Sequence, residues 1–190
     1  MLGHLPNALT MFRIAIVPVV TWLIWLGWHQ VAFALFVLAI ATDMLDGAAA
    51  RWLDKTSELG KMLDPIADKL LTACVLLVLT ASQTISGWQL IPALVILARE
   101  VLVSGLREYL AGLSVSLPVT LATKSKTVLQ FAALGLLILG PGLPGESRSS
   151  ILSGGYVLLW LAAALTAYTG WSYVRASMRH AVDAQNGRTE

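Results

Sequence analysis

Residues 31–81 read VAFALFVLAIATDMLDGAAARWLDKTSELGKMLDPIADKLLTACVLLVLTA: an apolar run, a charged middle, and a second apolar run. The first eleven residues of this stretch hold no polar side chain at all. A helix that is apolar all round offers water no face, so it belongs in a bilayer or a large core. The charged middle places Asp43 and Asp46 at the end of one run and Asp64 and Asp68 at the start of the other. The stretch therefore reads as two membrane helices with four carboxylates gathered where they meet.

The remainder of the chain agrees. Of 190 residues, 57% are hydrophobic and 13% charged, and the mean hydropathy is +0.74. A soluble domain carries about 25% charged residues, and half that supply cannot clothe a globule of 20.4 kDa. A span takes ~20 apolar residues, so six would use about 120 and leave about 70 for connections. No second, soluble domain fits. The single cysteine, Cys74, excludes a disulfide framework and a paired-cysteine metal site. A net charge of +2 is too balanced for a nucleic-acid binder. The first twelve residues contain no Lys or Arg, so the opening apolar stretch lacks a secretory signal's basic start and is expected to stay as an anchor.

Apolar runs between turn signals fall at 9–28, 31–51, 62–81, 90–113, 119–139 and 151–174. Gly27 with His29 and Gln30 closes the first, a charged connection over 52–61 follows the second, and PGLPGES ends the fifth. The expected fold is an all-α membrane protein: one six-helix transmembrane domain over 1–176 and a polar cytoplasmic tail over 177–190, fraying beyond Val174. Twelve of the thirteen Lys and Arg lie on or near the side that holds both termini, and only Arg148 lies opposite. The positive-inside rule makes that side, and both termini, cytoplasmic.

The acids near membrane depth are the informative residues. Asp43 and Asp46 are three apart and Asp64 and Asp68 four apart, so each pair shares a helix face. One Asp at mid-membrane costs roughly 2.5–3.5 kcal/mol on the insertion scale. Like charges brought together raise each other's pKa and add to that cost. A hard divalent cation is the natural counter-charge, because Mg²⁺ favours carboxylate oxygen and keeps positions for water and phosphate. Gly47 lies one turn beyond Asp43 and Gly60 one turn before Asp64, with Ala48, Ala49 and Ala50 adding little bulk. Small residues admit a second backbone or a ligand, and Arg51 adds a planar fork suited to phosphate.

Plainer readings exist for single features. Asp64–Pro65 fits a helix N-cap with proline at the first helical position. Asp54, Lys55 and Glu58 fit a solvated loop, and Arg99–Glu100 and Arg107–Glu108 fit ion pairs that hold a bundle together. His4, His29 and His180 are isolated and carry no assignment. Four aspartates and two glycines in this register are harder to explain structurally.

Read as one string, residues 43–68 fit D-x-x-D-G-x-x-A-R-x8-G-x-x-x-D-x-x-x-D at all eight fixed positions. This resembles the signature of the CDP-alcohol phosphatidyltransferase family. NALTMFR, AREVLVSGLREYLA and KSKTVLQ, from the first, fourth and fifth runs, resemble the bacterial branch whose acceptor is glycerol 3-phosphate. The resemblance implies a metal-dependent enzyme that moves the phosphatidyl group of CDP-diacylglycerol to glycerol 3-phosphate, giving phosphatidylglycerophosphate and CMP. It implies two Mg²⁺ or Mn²⁺ ions held by Asp43, Asp46, Asp64 and Asp68, with Asp68 also the general base. Gly47, Ala50, Arg51 and Gly60 would border the CDP part of the lipid, with Asn7, Thr10 and Arg13 lining the site from the first span. A homodimer in the bacterial inner (cytoplasmic) membrane, with its active site facing the cytoplasm, completes the implied picture.

A dianionic acceptor needs cations beyond Arg51. Arg99, Arg107, Lys124 and Lys126 flank the connection between the fourth and fifth runs and are the expected acceptor-phosphate site. Arg99 and Arg107 are eight residues apart, roughly 12 Å along a helix axis, so both can border one cleft. Two alternatives stand beside this reading. One is the same family with another alcohol, such as serine or an inositol phosphate. The other is a cation transporter using intramembrane carboxylates, against which stand the clustering of the acids at one interface and the lack of an inverted repeat.

Overall fold

The computed structural model describes the backbone over residues 5–53, 58–112 and 121–186, and side chains over 11–42, 66–67, 69–106, 108–110, 125–171, 173–175 and 178. Among these residues the chain is helical apart from short turns, with no strand. Six α-helices follow one another: α1 (Leu5–Trp25), α2 (His29–Leu53), α3 (Glu58–Ala81), α4 (Leu90–Gly112), α5 (Leu121–Leu139) and α6 (Gly145–Asn186). Short 3-10 turns over Gly87–Gln89 and Gly140–Gly142 lead into α4 and out of α5. Among the described residues, three stretches are both long and apolar enough to cross a bilayer: Gly87–Leu110, Ser125–Gly142 and Gly145–Arg175. Shorter apolar helical stretches cover Met11–Trp25, His29–Thr42 and Lys69–Ala81. Large apolar side chains face outward on every helix, among them Trp22, Val37, Leu77, Leu94, Val128 and Leu161. A water-soluble bundle would not leave such surface exposed, and the protein is accordingly membrane-embedded.

Helices α2, α3 and α6 outrun the apolar runs that announce them. α2 continues to Leu53 and α3 starts at Glu58, so only residues 54–57 separate helices that the sequence reading parts by 52–61. α6 has 42 residues and continues to Asn186, which corrects the expectation of fraying beyond Val174. Residues 175–186 are rich in alanine and contain neither glycine nor proline. Loss of apolar character there marks no loss of helix propensity.

The contacts divide the chain into two compact units, Met1–Gly87 with Leu134–Tyr156, and Trp88–Ala133 with Val157–Glu190. In the first, α1 packs on both α2 and α3. Its buried stripe is Arg13, Ile16, Val17, Val20 and Ile24, a three-and-four spacing that keeps one helix face inward. Ala32, Phe36 and Ala39 of α2, and Ala67, Leu71, Val75 and Leu79 of α3, are buried in the same rhythm.

α1 ends as its sequence predicts. Gly27 adopts φ +79°, its N–H donates to the Ile24 carbonyl at 3.1 Å, and the Trp28 N–H donates to Leu23 at 2.9 Å. These are the two bonds of a Schellman cap, which favours glycine in the left-handed position. α3 closes similarly with Gln83 at φ 61°, a residue the sequence does not flag. Tyr156 Oη donates to the Thr84 carbonyl at 2.6 Å, and Gln30 Nε2 to the Gly142 carbonyl at 2.7 Å, tying the turns of this unit together.

In the second unit the buried face of α4 is Ala93, Ile96, Arg99, Val103 and Leu110. α5 presents Lys126, Gln130 and Ala133 inward, and α6 presents Leu159, Ala162, Ala163, Thr166, Thr169 and Tyr173. Polar side chains interrupt each of these stripes: Arg99 on α4, Lys126 and Gln130 on α5, and Thr166 and Thr169 on α6.

Candidate active site

The helix boundaries fix the register of the acidic motif. Positions 43, 46, 47 and 50 all lie on α2, spaced by three, one and three, so the backbone stacks them along one face. Positions 60, 64 and 68 lie on α3 at intervals of four, again on one face. Gly60 is thus a helical position, not part of a connection. Six helical residues precede Asp64, so the N-cap reading of Asp64–Pro65 is excluded: an N-cap flanks the first turn and cannot sit beyond it. Asn7 and Thr10 lie on α1, Arg51 on α2, Arg107 on α4 and Lys124 on α5. The side chains of Asn7, Thr10, Asp43, Asp46, Gly47, Ala50, Arg51, Gly60, Asp64, Asp68, Arg107 and Lys124 lie outside the described residues. Among the described residues, no group of three or more His, Cys, Asp or Glu gathers around one point.

Arg13 is described and is buried on the inward stripe of α1. A buried arginine on an otherwise apolar stripe is tolerated only when it is paired or hydrogen-bonded.

Two of the expected acceptor-phosphate residues, Arg99 and Lys126, are described in full, and they meet at one carboxylate. Lys126 Nζ forms a salt bridge with Glu100 Oε1. The same oxygen lies 3.4 Å from Arg99 Nη1. Arg99 and Lys126 are both buried, and Glu100 is nearly so. The ion-pair reading of Arg99–Glu100 therefore holds, extended to a third member from α5. Lys126 sits inside the packed helices. Buried charges are tolerated when paired and hydrogen-bonded, and Glu100 meets that condition for both cations at once.

α6 supplies the other walls of the Arg99 pocket. Arg99 Nη2 donates to Thr169 Oγ1 at 3.4 Å, and its guanidinium carbon lies 5.8 Å from the Tyr173 ring centroid. Thr169 Oγ1 also lies 2.9 Å from the Leu165 carbonyl and 3.1 Å from that of Thr166. Its hydroxyl hydrogen can therefore go to the backbone while a lone pair faces Arg99. A Cβ added to Gly170 would stand 2.9 Å from Arg99 Cγ. Sequence reasoning missed Thr169, Gly170 and Tyr173. Their signal was faint: two threonines three apart and a glycine near the end of an apolar run.

Comparison with known proteins gives a consistent result. The model of the family described as CDP-alcohol phosphatidyltransferase matches residues 3–168. A protein of Rickettsia bellii named CDP-diacylglycerol–glycerol-3-phosphate 3-phosphatidyltransferase is 44% identical over 180 residues, covering 93% of this chain and 97% of the relative. Relatives of the same name are 46% identical over 176 residues in Rickettsia typhi, covering 91% of this chain and 96% of that protein, and 36% identical over 217 residues in Cereibacter sphaeroides, covering 94% and 97%.

Proposed function

The chain belongs to the CDP-alcohol phosphatidyltransferase family, and from that membership we propose that it transfers the phosphatidyl group of CDP-diacylglycerol to glycerol 3-phosphate, releasing CMP and forming phosphatidylglycerophosphate. The observation that carries this reading is the 44–46% identity, over more than nine-tenths of the chain, to Rickettsia proteins that bear the name of that activity. The eight matched motif positions of residues 43–68 support the family membership on which it rests.

Asp43, Asp46, Asp64 and Asp68 would hold two divalent ions, Mg²⁺ or Mn²⁺. The fit rests on donor chemistry: four carboxylates in helical register on α2 and α3 are the oxygen-rich set that hard cations select. Bound there, such ions neutralise the diphosphate and the charge growing on the leaving CMP. The chain's own residues do the rest. Gly47, Ala50 and Gly60 leave room for the cytidine diphosphate, Arg51 pairs with its phosphates, and Asn7 and Thr10 border the site from α1. Asp68 accepts the proton of the acceptor hydroxyl as its oxygen bonds to the phosphatidyl phosphorus and the bond from that phosphorus to CMP breaks. Arg99, Arg107, Lys124 and Lys126 hold the phosphate of glycerol 3-phosphate, a task that charge-assisted donors perform well.

In this reading all six helices cross the bacterial inner membrane and both termini are cytoplasmic. Helices α1, α2 and α3 have 21, 25 and 24 residues, and at ~1.5 Å per residue each exceeds a hydrocarbon core of about 30 Å. The acyl chains of the donor then stay in lipid while its head group reaches the cytoplasmic face. A homodimer is the proposed assembly.

The test is CMP release by purified protein given CDP-diacylglycerol with glycerol 3-phosphate, serine or an inositol phosphate, each with and without EDTA. Release with glycerol 3-phosphate alone, abolished by EDTA, is expected. Release with serine or the inositol phosphate in its place would overturn the acceptor, and release in EDTA would overturn the metal requirement.

A further inference from the structure

We infer that Thr169, Gly170 and Tyr173 of α6 are positioning residues for acceptor binding, because together they fix the direction of the Arg99 guanidinium. The inference rests on the reading of Arg99 as a ligand of the acceptor phosphate. All three residues lie beyond the 3–168 stretch matched by the family model, so that match assigns them nothing.

The geometry carries the assignment. Arginine has a long, flexible stem, and ordering it only when an anion arrives costs affinity. Here the stem and the head are both constrained in advance. Glycine is the poorest helix former after proline, yet Gly170 sits within α6, on its buried face. The space where its Cβ would stand is filled by the Arg99 stem, 2.9 Å away at Cγ. At the head, Nη2 reaches Thr169 Oγ1 and Nη1 reaches Glu100 Oε1, each at 3.4 Å, which spreads the two terminal nitrogens between α6 and α4. The Tyr173 ring lies 5.8 Å from the guanidinium carbon, within the range of a cation–π contact. A planar cation whose stem and both terminal nitrogens are constrained has little freedom left. It is prepared to meet a phosphate dianion in one orientation.

The pocket also explains why Thr169 is not valine. Its hydroxyl spends its hydrogen on the preceding turn, with the Leu165 carbonyl at 2.9 Å, and presents an acceptor to Arg99. Valine has the same shape and lacks that acceptor.

The experiment measures CMP release by the full-length protein in mixed micelles, varying glycerol 3-phosphate and CDP-diacylglycerol separately. Gly170→Ala and Thr169→Val are expected to raise the apparent KM for glycerol 3-phosphate about fivefold or more, with that for CDP-diacylglycerol held within about twofold. Thr169→Ser and Tyr173→Phe, which keep the hydroxyl acceptor and the ring face, should stay within about twofold of the parent on both axes. Adding Gly170→Ala to Arg99→Lys should cost less than the two single effects combined, because both act through one guanidinium. If Gly170→Ala and Thr169→Val lower kcat or heat stability and leave the KM for glycerol 3-phosphate unmoved, α6 is packing alone and the inference fails. The near-isosteric Thr169→Val keeps the test open should Gly170→Ala fail to fold. If Arg99→Ala itself leaves that KM unchanged, the parent assignment of Arg99 fails first, a result distinct from the failure of its α6 supports.

Discussion

Lys126 of α5 and Glu100 of α4, 26 positions apart in the chain, close a buried ion pair whose carboxylate oxygen Arg99 also approaches. The side chain of Lys126 is 5% exposed and that of Glu100 14%. At such depth the pair is a coupled object. Removing one partner of a buried ion pair costs about 3–5 kcal/mol, because the survivor stays desolvated, whereas neutral replacement of both is often harmless. Lys126→Met should therefore lower the unfolding temperature of the detergent-solubilised protein well below that of the parent. Glu100→Gln, which takes the shared carboxylate from both Lys126 and Arg99, should lower it further. A Glu100→Gln variant no less stable than Lys126→Met would show that this carboxylate is not what holds the two cations.

The acidic motif makes a different prediction, in turnover rather than stability. Loss of a general base lowers rate by roughly 10²–10⁴-fold. Asp68→Asn should reduce CMP release by at least that lower figure while the protein still melts as the parent does. Asp43→Asn and Asp46→Asn should raise the Mg²⁺ or Mn²⁺ concentration needed for half-maximal release. EDTA should silence the parent enzyme, and excess divalent ion should restore it. Full activity of Asp68→Asn at saturating metal would remove that residue from its catalytic role.

Much of this fold is legible in the sequence. Apolar runs bounded by Gly27 and by PGLPGES located the helices, because a bilayer demands apolar length and a glycine at the cap leaves a clear mark. What escaped was whatever apolarity does not encode. The twelve residues by which α6 outlasts Val174 are helical through alanine-rich propensity, not hydrophobicity. Gln83 takes a left-handed cap conformation that sequence assigns to glycine or asparagine. Glu100 was legible as an ion pair with its neighbour Arg99, but its other partner, Lys126, is a tertiary contact that spacing along one helix cannot reveal. The cradle of Thr169, Gly170 and Tyr173 was silent for the same reason: its meaning depends on which side chain of α4 lies opposite.

The other two cations proposed for the acceptor phosphate, Arg107 and Lys124, give a kinetic prediction. A hydrogen bond to a charged group contributes about 1.5–3 kcal/mol, which at roughly 1.4 kcal/mol per factor of ten is about ten- to a hundredfold in binding. Arg107→Ala and Lys124→Ala should each raise the apparent KM for glycerol 3-phosphate by about tenfold or more. Their effect on the KM for CDP-diacylglycerol should be much smaller. Equal increases for both substrates would place these cations on the donor lipid instead.

Two glycines should behave oppositely when given a methyl group. A Cβ at Gly142 would stand 2.7 Å from His29 Cβ, and His29 Cβ is fixed to the start of α2 with no rotamer to escape through. The Gln30 amide, bonded to the Gly142 carbonyl at 2.7 Å, holds the two segments together and blocks relaxation. Over-packing of this kind costs about 1–3 kcal/mol. For a chain of this size each kcal/mol moves the midpoint by about 2–4 °C, so Gly142→Ala should melt several degrees early. Gly105 lies inside α4 with nothing within 4 Å of its would-be Cβ. Replacing a helical glycine by alanine in open space gains up to about 1 kcal/mol in propensity, so Gly105→Ala should melt at or slightly above the parent. Thermal unfolding of the two variants side by side, followed by loss of monodisperse protein in detergent, reads both signs. Equal midpoints would mean that the turn after α5 yields freely, contrary to the close seating of Gly142 on His29.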